Sequence, residues 1–526
     1  MSGGEQERSR KLLSEGENRM LKRIHLSPSF SAALAGALAF GLMAHGMGLF
    51  NKLSWHDDIF SLFMTGNTVS VGRWMLHVFS QAELLIFGNG HFSLPLFNGL
   101  ISLICIGVSA GLTADYFQIR SRPLAAASGA VMAVFPAVTA LFGFMFTIHY
   151  YMTALLMMTA GGLLICGEGG WWKKAAGVLL CGCSVGVYQA FLPVLPTLVL
   201  MDQIMVLCKR EEKAGFYLKR LLIRALCAAG AMAVYFAGNR LFLRLEQTEL
   251  ENYLGISQAG STTLGTYLER AGTAYREFFR PTRDALTDMY PQRLYYVYLL
   301  LLALSAALGI GWVIRTWKKN PARACLLAGS FALIPLGCNF VFVMSGEVHS
   351  LMVYGQVMAA VLAACLADWT ELSLPRFRRA GAAAAGVILA VLSILYVRYD
   401  NICYLKTGLQ QQEAISWYTT LVTRIESTEG FRDELPVAYI NRDNMQDRNL
   451  YMLDEMDFIQ LAAYDVNTRG YLNNWAWEEF LARWCGFAPE TVDPEQVKEW
   501  PEVKEMPSYP DEGSIRVIRD VLVVNF

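Results

Sequence analysis

Residues Leu49 to Trp74 read LFNKLSWHDDIFSLFMTGNTVSVGRW, and the organisation of the whole chain can be inferred from this segment. It follows the first long apolar run of the chain and carries two adjacent carboxylates, Asp57 and Asp58, preceded by His56. Ionisable groups at the mouth of a membrane helix are costly to place and are functional candidates by default. The interpretation of the chain therefore depends on the face of the membrane that this stretch occupies.

The composition around that stretch is that of a membrane protein. Of 526 residues, 54% are hydrophobic and 17% are charged, whereas soluble domains usually carry about 25% charged residues. Apolar runs of about bilayer-spanning length predict about eleven membrane helices, and hence a polytopic α-helical fold. They lie at 28–50, 96–118, 124–146, 149–168, 174–192, 194–208, 221–244, 294–314, 322–344, 349–368 and 380–397. The net charge of −1 excludes a generally basic nucleic-acid binder.

Lysine and arginine residues indicate the orientation of the chain, because cytoplasmic loops carry an excess of both. They collect in every second loop, starting with the N-terminal segment, which predicts an N-terminus inside the cell. The outer face then holds loops 51–95 and 245–293 and everything after about residue 398. We predict a cytoplasmic tail at 1–26, a transmembrane catalytic domain at 27–397 and a small extracytoplasmic α/β domain at 398–526. In that last domain we expect helices at Glu413–Ile425, Asp454–Tyr464 and Trp475–Trp484, and strands at Pro436–Ile440 and Ser514–Asn525.

His56, Asp57 and Asp58 are the strongest candidates for chemistry. One carboxylate would be a general base that takes the proton from an acceptor hydroxyl, and His56 would contact the substrate. Successive helix positions do not face each other, so the second acid would orient the acceptor, bind a divalent cation (Mg²⁺ or Mn²⁺) or cap the helix. No cofactor is certain. The alternative is a solvated loop that begins an amphipathic interfacial helix at Ile59.

Two further motifs are candidates for binding substrate. Arg73 would grip a phosphate as it leaves, and it lies about four turns from Asp58 if residues 59–80 are helical. The alternative for Arg73 and Trp74 is an anchor at headgroup depth. Tyr188 and Gln189 follow a run of small residues; they would contact the donor, or serve only helix packing.

Isolated charges at predicted outer helix ends are weaker candidates for substrate binding. They are Arg240, His349 and Arg398, and each is otherwise a snorkelling anchor. Loop 245–293 is either a lid or phosphate clamp over the site, or a surface helix that contacts headgroups. Among the cysteines, Cys403 and Cys485 lie in the polar tail and are candidates for a disulfide. The sequence has no GxGxxG after a strand and no P-loop, HExxH or GxSxG motif, so no nucleotide site is visible.

The sequence resembles the Gtr-type (type II) membrane glucosyltransferases, which decorate bacterial surface polysaccharide such as O-antigen. The resemblance rests on residues 56–58 followed by 72–74, and on MPSYPDEGSI at 506–515, which runs into the apolar strand 521–524. The Tyr188-Gln189 turn fits the same pattern. Eleven predicted spans exceed the number in better-known members, which leaves the donor and acceptor more open than the reaction type.

The resemblance implies a GT-C-like fold in the bacterial cytoplasmic membrane and an inverting sugar transfer. It implies a polyprenyl-phosphate sugar as donor, a surface polysaccharide as acceptor, and Asp57 or Asp58 as the catalytic residue. It also implies a flippase and a polyprenyl-phosphate sugar synthase encoded nearby as partners. The alternatives are a lipid-linked sugar flippase or transporter, a surface-polysaccharide polymerase, and a membrane scaffold whose tail binds a partner.

Overall fold

The computed structural model describes residues 26–526 except 56, 67, 89, 252–262, 281–291, 371–374, 446–454, 466–467 and 474. The predicted substrate contact His56 and most of the predicted cytoplasmic tail lie outside the described residues. Within the described part the chain is a helical membrane protein with a few strands near its C-terminus.

Most of the predicted membrane helices are present. Eight described helices are long and apolar enough to cross a membrane, and a bent pair makes up to nine. The helices before the C-terminal part are α1 Pro28–Phe50, α2 Asp57–Phe60, α3 Trp74–Phe87, α4 Pro95–Tyr116, α5 Arg122–Ala133, α6 Pro136–Phe142, α7 Ile148–Cys166, α8 Trp171–Val187, α9 Val194–Lys209, α10 Ala214–Leu245, α11 Leu264–Phe279, α12 Gln292–Trp317, α13 Pro321–Cys338, α14 Val341–Met344, α15 Met358–Trp369 and α16 Pro375–Glu426.

The predicted number of membrane spans, about eleven, exceeds the eight or nine described helices that could cross a membrane, for identifiable reasons. Pro136 divides the predicted span 124–146 into α5 and α6, which meet at 41°, because proline lacks an N–H for the helical ladder. The predicted span 174–192 corresponds to α8, which has only 17 residues. The predicted span 349–368 begins as short 3₁₀ turns and becomes the 12-residue α15. The total of eleven remains a prediction.

The first loop is not the continuous helix over 59–80 on which the predicted spacing of Arg73 from Asp58 depends. Helix α2 has four residues, turns occupy much of 61–72, and α3 begins at Trp74. Gly66 and Gly72 adopt φ of +70° and +76°, a region that disfavours residues with a Cβ, and so break the helix. The chain folds back on itself, and the expected separation of four turns between Arg73 and Asp58 does not exist.

The C-terminal part grows out of α16, which continues without a break across the predicted boundary at 397/398. It contains β1 Val437–Ile440, α17 Thr468–Leu472, α18 Trp477–Cys485, α19 Pro494–Val497, α20 Pro501–Lys504, β2 Ile515–Ile518 and β3 Val521–Asn525. The strand order is β1-β3-β2, with β1 parallel to β3 (Val437 opposite Leu522) and β2 antiparallel to β3 (Ile515 opposite Val524). Both predicted strand regions are therefore strands.

One predicted helix of the C-terminal part is wrong. Of the segment Asp454–Tyr464, the described residues 455–464 form turns and extended chain. Contacts with the helical bundle hold it in that form: the Ala462 amide donates to Ser350 Oγ (2.9 Å), and the Tyr464 hydroxyl donates to the Thr139 carbonyl (3.2 Å). Tertiary contacts outweigh the local periodicity here.

The C-terminal part also packs on the first loop. The Trp55 ring stacks on the Tyr471 ring with centroids 4.9 Å apart, and the Tyr471 hydroxyl donates to the Ser54 carbonyl (2.6 Å). Ile59 and Trp55 share a buried apolar cluster with residues of α16 and α18, such as Phe480. The loop that carries both aspartates is thus held between the bundle and the C-terminal part.

Candidate active site

The two adjacent aspartates have different surroundings. Asp58 is fully buried and accepts four hydrogen bonds, two at each carboxylate oxygen. Its donors are Lys52 Nζ (2.5 Å), Ser54 Oγ (2.7 Å), Ser93 Oγ (2.5 Å) and the Phe146 amide (3.2 Å). A buried charge is tolerated when it is paired and hydrogen-bonded, as it is here. Asp58 therefore joins the beginning of the first loop to Ser93 near its end, and to the chain before α7.

Asp57 instead lines a cavity of about 1000 Å³ at the same end of the bundle. The cavity walls come from the first loop, α7, α8, α10, α11, the α14 region and residues 462, 463, 465 and 475. The lining is mostly apolar and aromatic, with few polar groups, as is typical of small-molecule sites. Within the pair, Asp57 is the carboxylate placed to meet a ligand.

Arg73 lines the same cavity, and the backbone before it is closely fitted. Gln189 Nε2 donates to the Val71 carbonyl (3.1 Å) and lies 3.4 Å from the Tyr235 hydroxyl. A Cβ on Gly72 would lie 2.7 Å from that hydroxyl and 3.0 Å from Gln189 Nε2, so only glycine fits without a shift. Gln189 thus supports the loop that positions Arg73. It also lines the cavity, and its contact with the donor stays a prediction.

The Arg73 guanidinium lies beside two stacked tyrosine rings. Tyr151 and Tyr188 stack with centroids 4.4 Å apart, and the guanidinium carbon is 5.7 Å and 5.6 Å from their respective centroids. Arg73 Nη1 also donates to the Tyr151 hydroxyl (3.0 Å). Both tyrosines are buried, so the cation is held by rigid partners at the cavity wall.

Trp74 is not the membrane-interface anchor considered as an alternative. It is buried and stacks on Phe242 with centroids 5.5 Å apart. A Cβ on Gly186 of α8 or Gly238 of α10 would approach the Trp74 ring to 2.7 Å or 2.4 Å. The small residues of these helices therefore make room for an indole, which fixes the start of α3 next to Arg73.

The remaining predicted substrate contacts divide into two groups. His349 and Tyr188 line the cavity together with Asp57 and Arg73. Arg240 and Arg398 are exposed and do not line it. From loop 245–293, Tyr267 of α11 contributes to the wall.

Several cavity residues were missed by the sequence interpretation. Glu251 and Asp465 add two carboxylates to the lining, and Trp475 adds aromatic surface. Glu251 is brought in when its amide donates to the Ser70 carbonyl (2.8 Å). Asp465 comes from the C-terminal part, more than 400 residues away from Asp57 along the chain. No local motif marks either residue, although both lie in segments predicted to share a face with Asp57.

The residues do not fit a cation site shared by both aspartates, because the oxygens of Asp58 already accept four hydrogen bonds. Among the described residues, no group of three or more His, Cys, Asp or Glu side chains could hold a metal ion. The candidate disulfide is also absent: Cys403 and Cys485 are both free thiols, the first buried in the bundle core and the second beside Thr419.

A second polar cluster holds α3 against α7 at this end of the bundle. His149 Nε2 lies 3.3 Å from Glu83 Oε2, and the Tyr150 hydroxyl donates to the same oxygen. The hydrogen bond from His149 holds the pKa of Glu83 below its usual range, and the hydrogen bond from Tyr150 acts in the same direction. Burial lowers the pKa of His91, which lies 3.9 Å from Glu83 and 3.1 Å from Ser80 Oγ.

A carboxylate and a fixed guanidinium in one large aromatic-lined cavity can remove a proton and stabilise a departing anion. The family model of the glucosyl transferase GtrII matches residues 46–360, which include Asp57, Arg73, Gln189 and His349 but not the C-terminal stretch 506–515. No curated protein and no solved structure matches the chain significantly. Because the family model covers more than half of the chain, the protein belongs to the GtrII glucosyl transferase family and is a membrane-embedded glycosyltransferase.

Proposed function

We propose that the protein transfers glucose from a polyprenyl-phosphate carrier to a cell-surface polysaccharide on the outer face of the cytoplasmic membrane. The observation that carries this proposal is the presence of Asp57 and Arg73 in one cavity of about 1000 Å³, while Asp58 is buried among its own donors. A lipid-linked sugar enters this cavity from the membrane, and a flippase and a polyprenyl-phosphate sugar synthase supply it.

The reaction is a single displacement with inversion. Asp57 accepts the proton of an acceptor hydroxyl as that oxygen forms a bond to the anomeric carbon. The bond from the anomeric carbon to the phosphate oxygen breaks, and polyprenyl phosphate leaves with the electron pair. General base catalysis of this kind contributes roughly 10²–10⁴-fold to the rate.

Arg73 is the proposed partner of the leaving phosphate. Charge-assisted hydrogen bonds between a guanidinium and a phosphate are strong and directional. The tyrosine pair and the hydrogen bond that Arg73 donates to the Tyr151 hydroxyl restrict the guanidinium before the substrate arrives, so little reorganisation is needed when charge develops on the phosphate. His349 and Glu251 line the cavity and are proposed to contact the sugars.

The side of the membrane is inferred from the distribution of charge. The opposite end of the bundle carries many basic residues at helix ends, including Arg120, Lys209 and Arg323. Since basic ends favour the cytoplasm, Asp57 and the C-terminal part are proposed to lie outside. A carrier-linked donor is consistent with that side, where nucleotide sugars are not supplied.

The proposed function is tested with the purified full-length protein in detergent. Short-chain polyprenyl-phosphate glucose and UDP-glucose are offered separately with the isolated surface polysaccharide, with and without EDTA. We expect transfer only from the polyprenyl donor, inversion at the anomeric carbon by NMR, and activity that EDTA leaves unchanged. Transfer from UDP-glucose alone would overturn the donor assignment, and loss of activity with EDTA would require a metal step.

A further inference from the structure

A second pocket lies at the opposite end of the bundle from Asp57. Helix α4 begins just after Ser93, a ligand of Asp58, and ends next to this pocket at Gln118 and Arg120. Helix α9 begins next to Leu192, which lines the Asp57 cavity, and ends at Lys209 in this pocket. At about 1.5 Å per residue, the 22 residues of α4 separate the two sites by about 33 Å.

The pocket has a volume of about 300 Å³ and carries an excess of positive charge. Arg120, Lys209, Arg315, Lys319 and Arg323 line it, against the two carboxylates of Glu211 and Asp368. Both carboxylates already accept hydrogen bonds. Asp368 accepts from the Arg120 and Ser121 amides (2.9 Å each), and Glu211 accepts from Lys319 Nζ (2.7 Å). Asp368 is thus held by backbone amides, whereas Glu211 pairs with Lys319 and lies 3.8 Å from Arg323 Nη1. The pocket still holds more cations than carboxylates.

One of the pocket cations, Arg323, is fixed by hydrogen bonds to the end of α9. Arg323 is buried, and its guanidinium donates to the Leu207 carbonyl (2.7 Å) and the Cys208 carbonyl (3.1 Å) at the end of α9. This arrangement caps the helix and keeps a positive charge beneath the pocket. Above it, Lys209 Nζ lies 4.9 Å from the Trp369 ring, and the Arg315 guanidinium lies 5.6 Å from the Trp312 ring.

We propose that this pocket binds the phosphate of an anionic phospholipid headgroup. The pocket opens among the ends of membrane helices, its wall combines cations with two tryptophans, and basic pockets between membrane helices are suited to lipid phosphates. Its volume admits a headgroup, and α12, which supplies Trp312 and Arg315 to the wall, also carries the exposed apolar side chains Ile310 and Ile314 for the acyl chains. The site is separate from the Asp57 cavity and does not depend on the proposed reaction.

The test measures binding to the full-length protein in detergent. Short-chain phosphatidylglycerol is titrated while tryptophan fluorescence is recorded, because Trp312 and Trp369 line the pocket. The double variant Lys209→Gln/Arg315→Gln should bind about 25-fold more weakly, at about fivefold for each charge removed. Both single variants are measured as well, and thermal unfolding reports whether each variant is folded.

The matched control is Lys318→Gln, which removes an exposed cation that follows α12 but does not line the pocket. It should bind phosphatidylglycerol like the unmodified protein. Equal binding by the unmodified protein, the double variant and Lys318→Gln would overturn the site. Displacement of the lipid by inorganic phosphate at similar concentration would assign the pocket to a soluble phosphate and overturn the lipid as occupant.

Discussion

The two sides of the first loop show how neighbouring acids take different roles. On the buried side, Asp58 is surrounded by a lysine, two serines and an amide, and no part of it reaches solvent. On the cavity side, Asp57 lines a large space with Arg73, Glu251 and His349. A carboxylate that is enclosed by protein donors stabilises the fold, whereas one that lines a cavity borders the space that a ligand would occupy.

The largest expected effect is the loss of sugar transfer when the cavity-lining aspartate, Asp57, is replaced. We expect Asp57→Asn to lower sugar transfer by roughly 10²–10⁴-fold, because an amide cannot accept the acceptor proton. Thermal unfolding should be nearly unchanged, since the substitution keeps the shape of a half-buried side chain. Transfer is measured with the purified variant and the polyprenyl donor.

Glu251→Gln and Asp465→Asn are the matched controls for Asp57→Asn. Each removes one of the other carboxylates that line the cavity without altering its shape. Both variants should retain more activity than Asp57→Asn. Full activity in Asp57→Asn together with loss of transfer in either control would move the general base to that residue.

The next effect is a loss of stability when the buried aspartate, Asp58, is replaced. Asp58→Asn should lower the free energy of unfolding by about 1–3 kcal/mol, because the buried donors around this position lose a charged acceptor and the partly exposed Lys52 loses its ion partner. Adding Lys52→Met should recover part of that loss, since it removes the cation left unpaired. Unfolding is followed by tryptophan fluorescence with temperature. An Asp58→Asn variant that unfolds like the unmodified protein yet is inactive would make Asp58, not Asp57, the base.

A somewhat smaller loss of sugar transfer is expected when Arg73, the proposed partner of the leaving phosphate, is replaced. Arg73→Gln should lower transfer by roughly 10²–10³-fold, the range for removing one fixed donor from a developing negative charge. Arg73→Lys should recover only part of the rate, because an ammonium lacks the planar fork of the guanidinium. Tyr151→Phe removes the hydroxyl that accepts the hydrogen bond from Arg73, and it should lower transfer less than Arg73→Gln or Arg73→Lys. Equal loss in all three variants would indicate a packing role for this wall.

The sequence was sufficient for the long unbroken membrane helices, because hydropathy reports burial in lipid directly. Runs such as 28–50 and 96–118 coincide with α1 and α4 within two residues. The strand prediction at 436–440 also holds, since the β-branched Val437 and Ile440 favour a strand locally.

The site was harder to predict because its contacts are distant in sequence. The choice between Asp57 and Asp58 depends on Ser93 and the amide of Phe146, which lie 35 and 88 residues from Asp58. The break at Gly72 depends on Tyr235 and Gln189, whose proximity no periodicity reveals. Sequence therefore identified the loop, and tertiary contacts decide which of its side chains faces the cavity.

The smallest effect tests whether Glu83, which joins α3 to α7, stabilises the fold as a charged carboxylate, as Asp58 does in the first loop. Glu83→Gln should lower the free energy of unfolding by about 1 kcal/mol at pH 7, because its hydrogen bonds from His149 and Tyr150 lose their charge assistance. The lowered pKa of Glu83 means that the ionised form is favoured in the folded state, so its contribution is complete above the ordinary glutamate pKa of about 4.3. That contribution is lost as the pH falls through the folded-state pKa. The difference in unfolding temperature between Glu83→Gln and the unmodified protein should therefore be constant near neutral pH and shrink below about pH 4. A difference that grows on acidification would mean that the carboxyl is protonated in the folded protein, and that hydrogen bonding rather than charge joins α3 to α7.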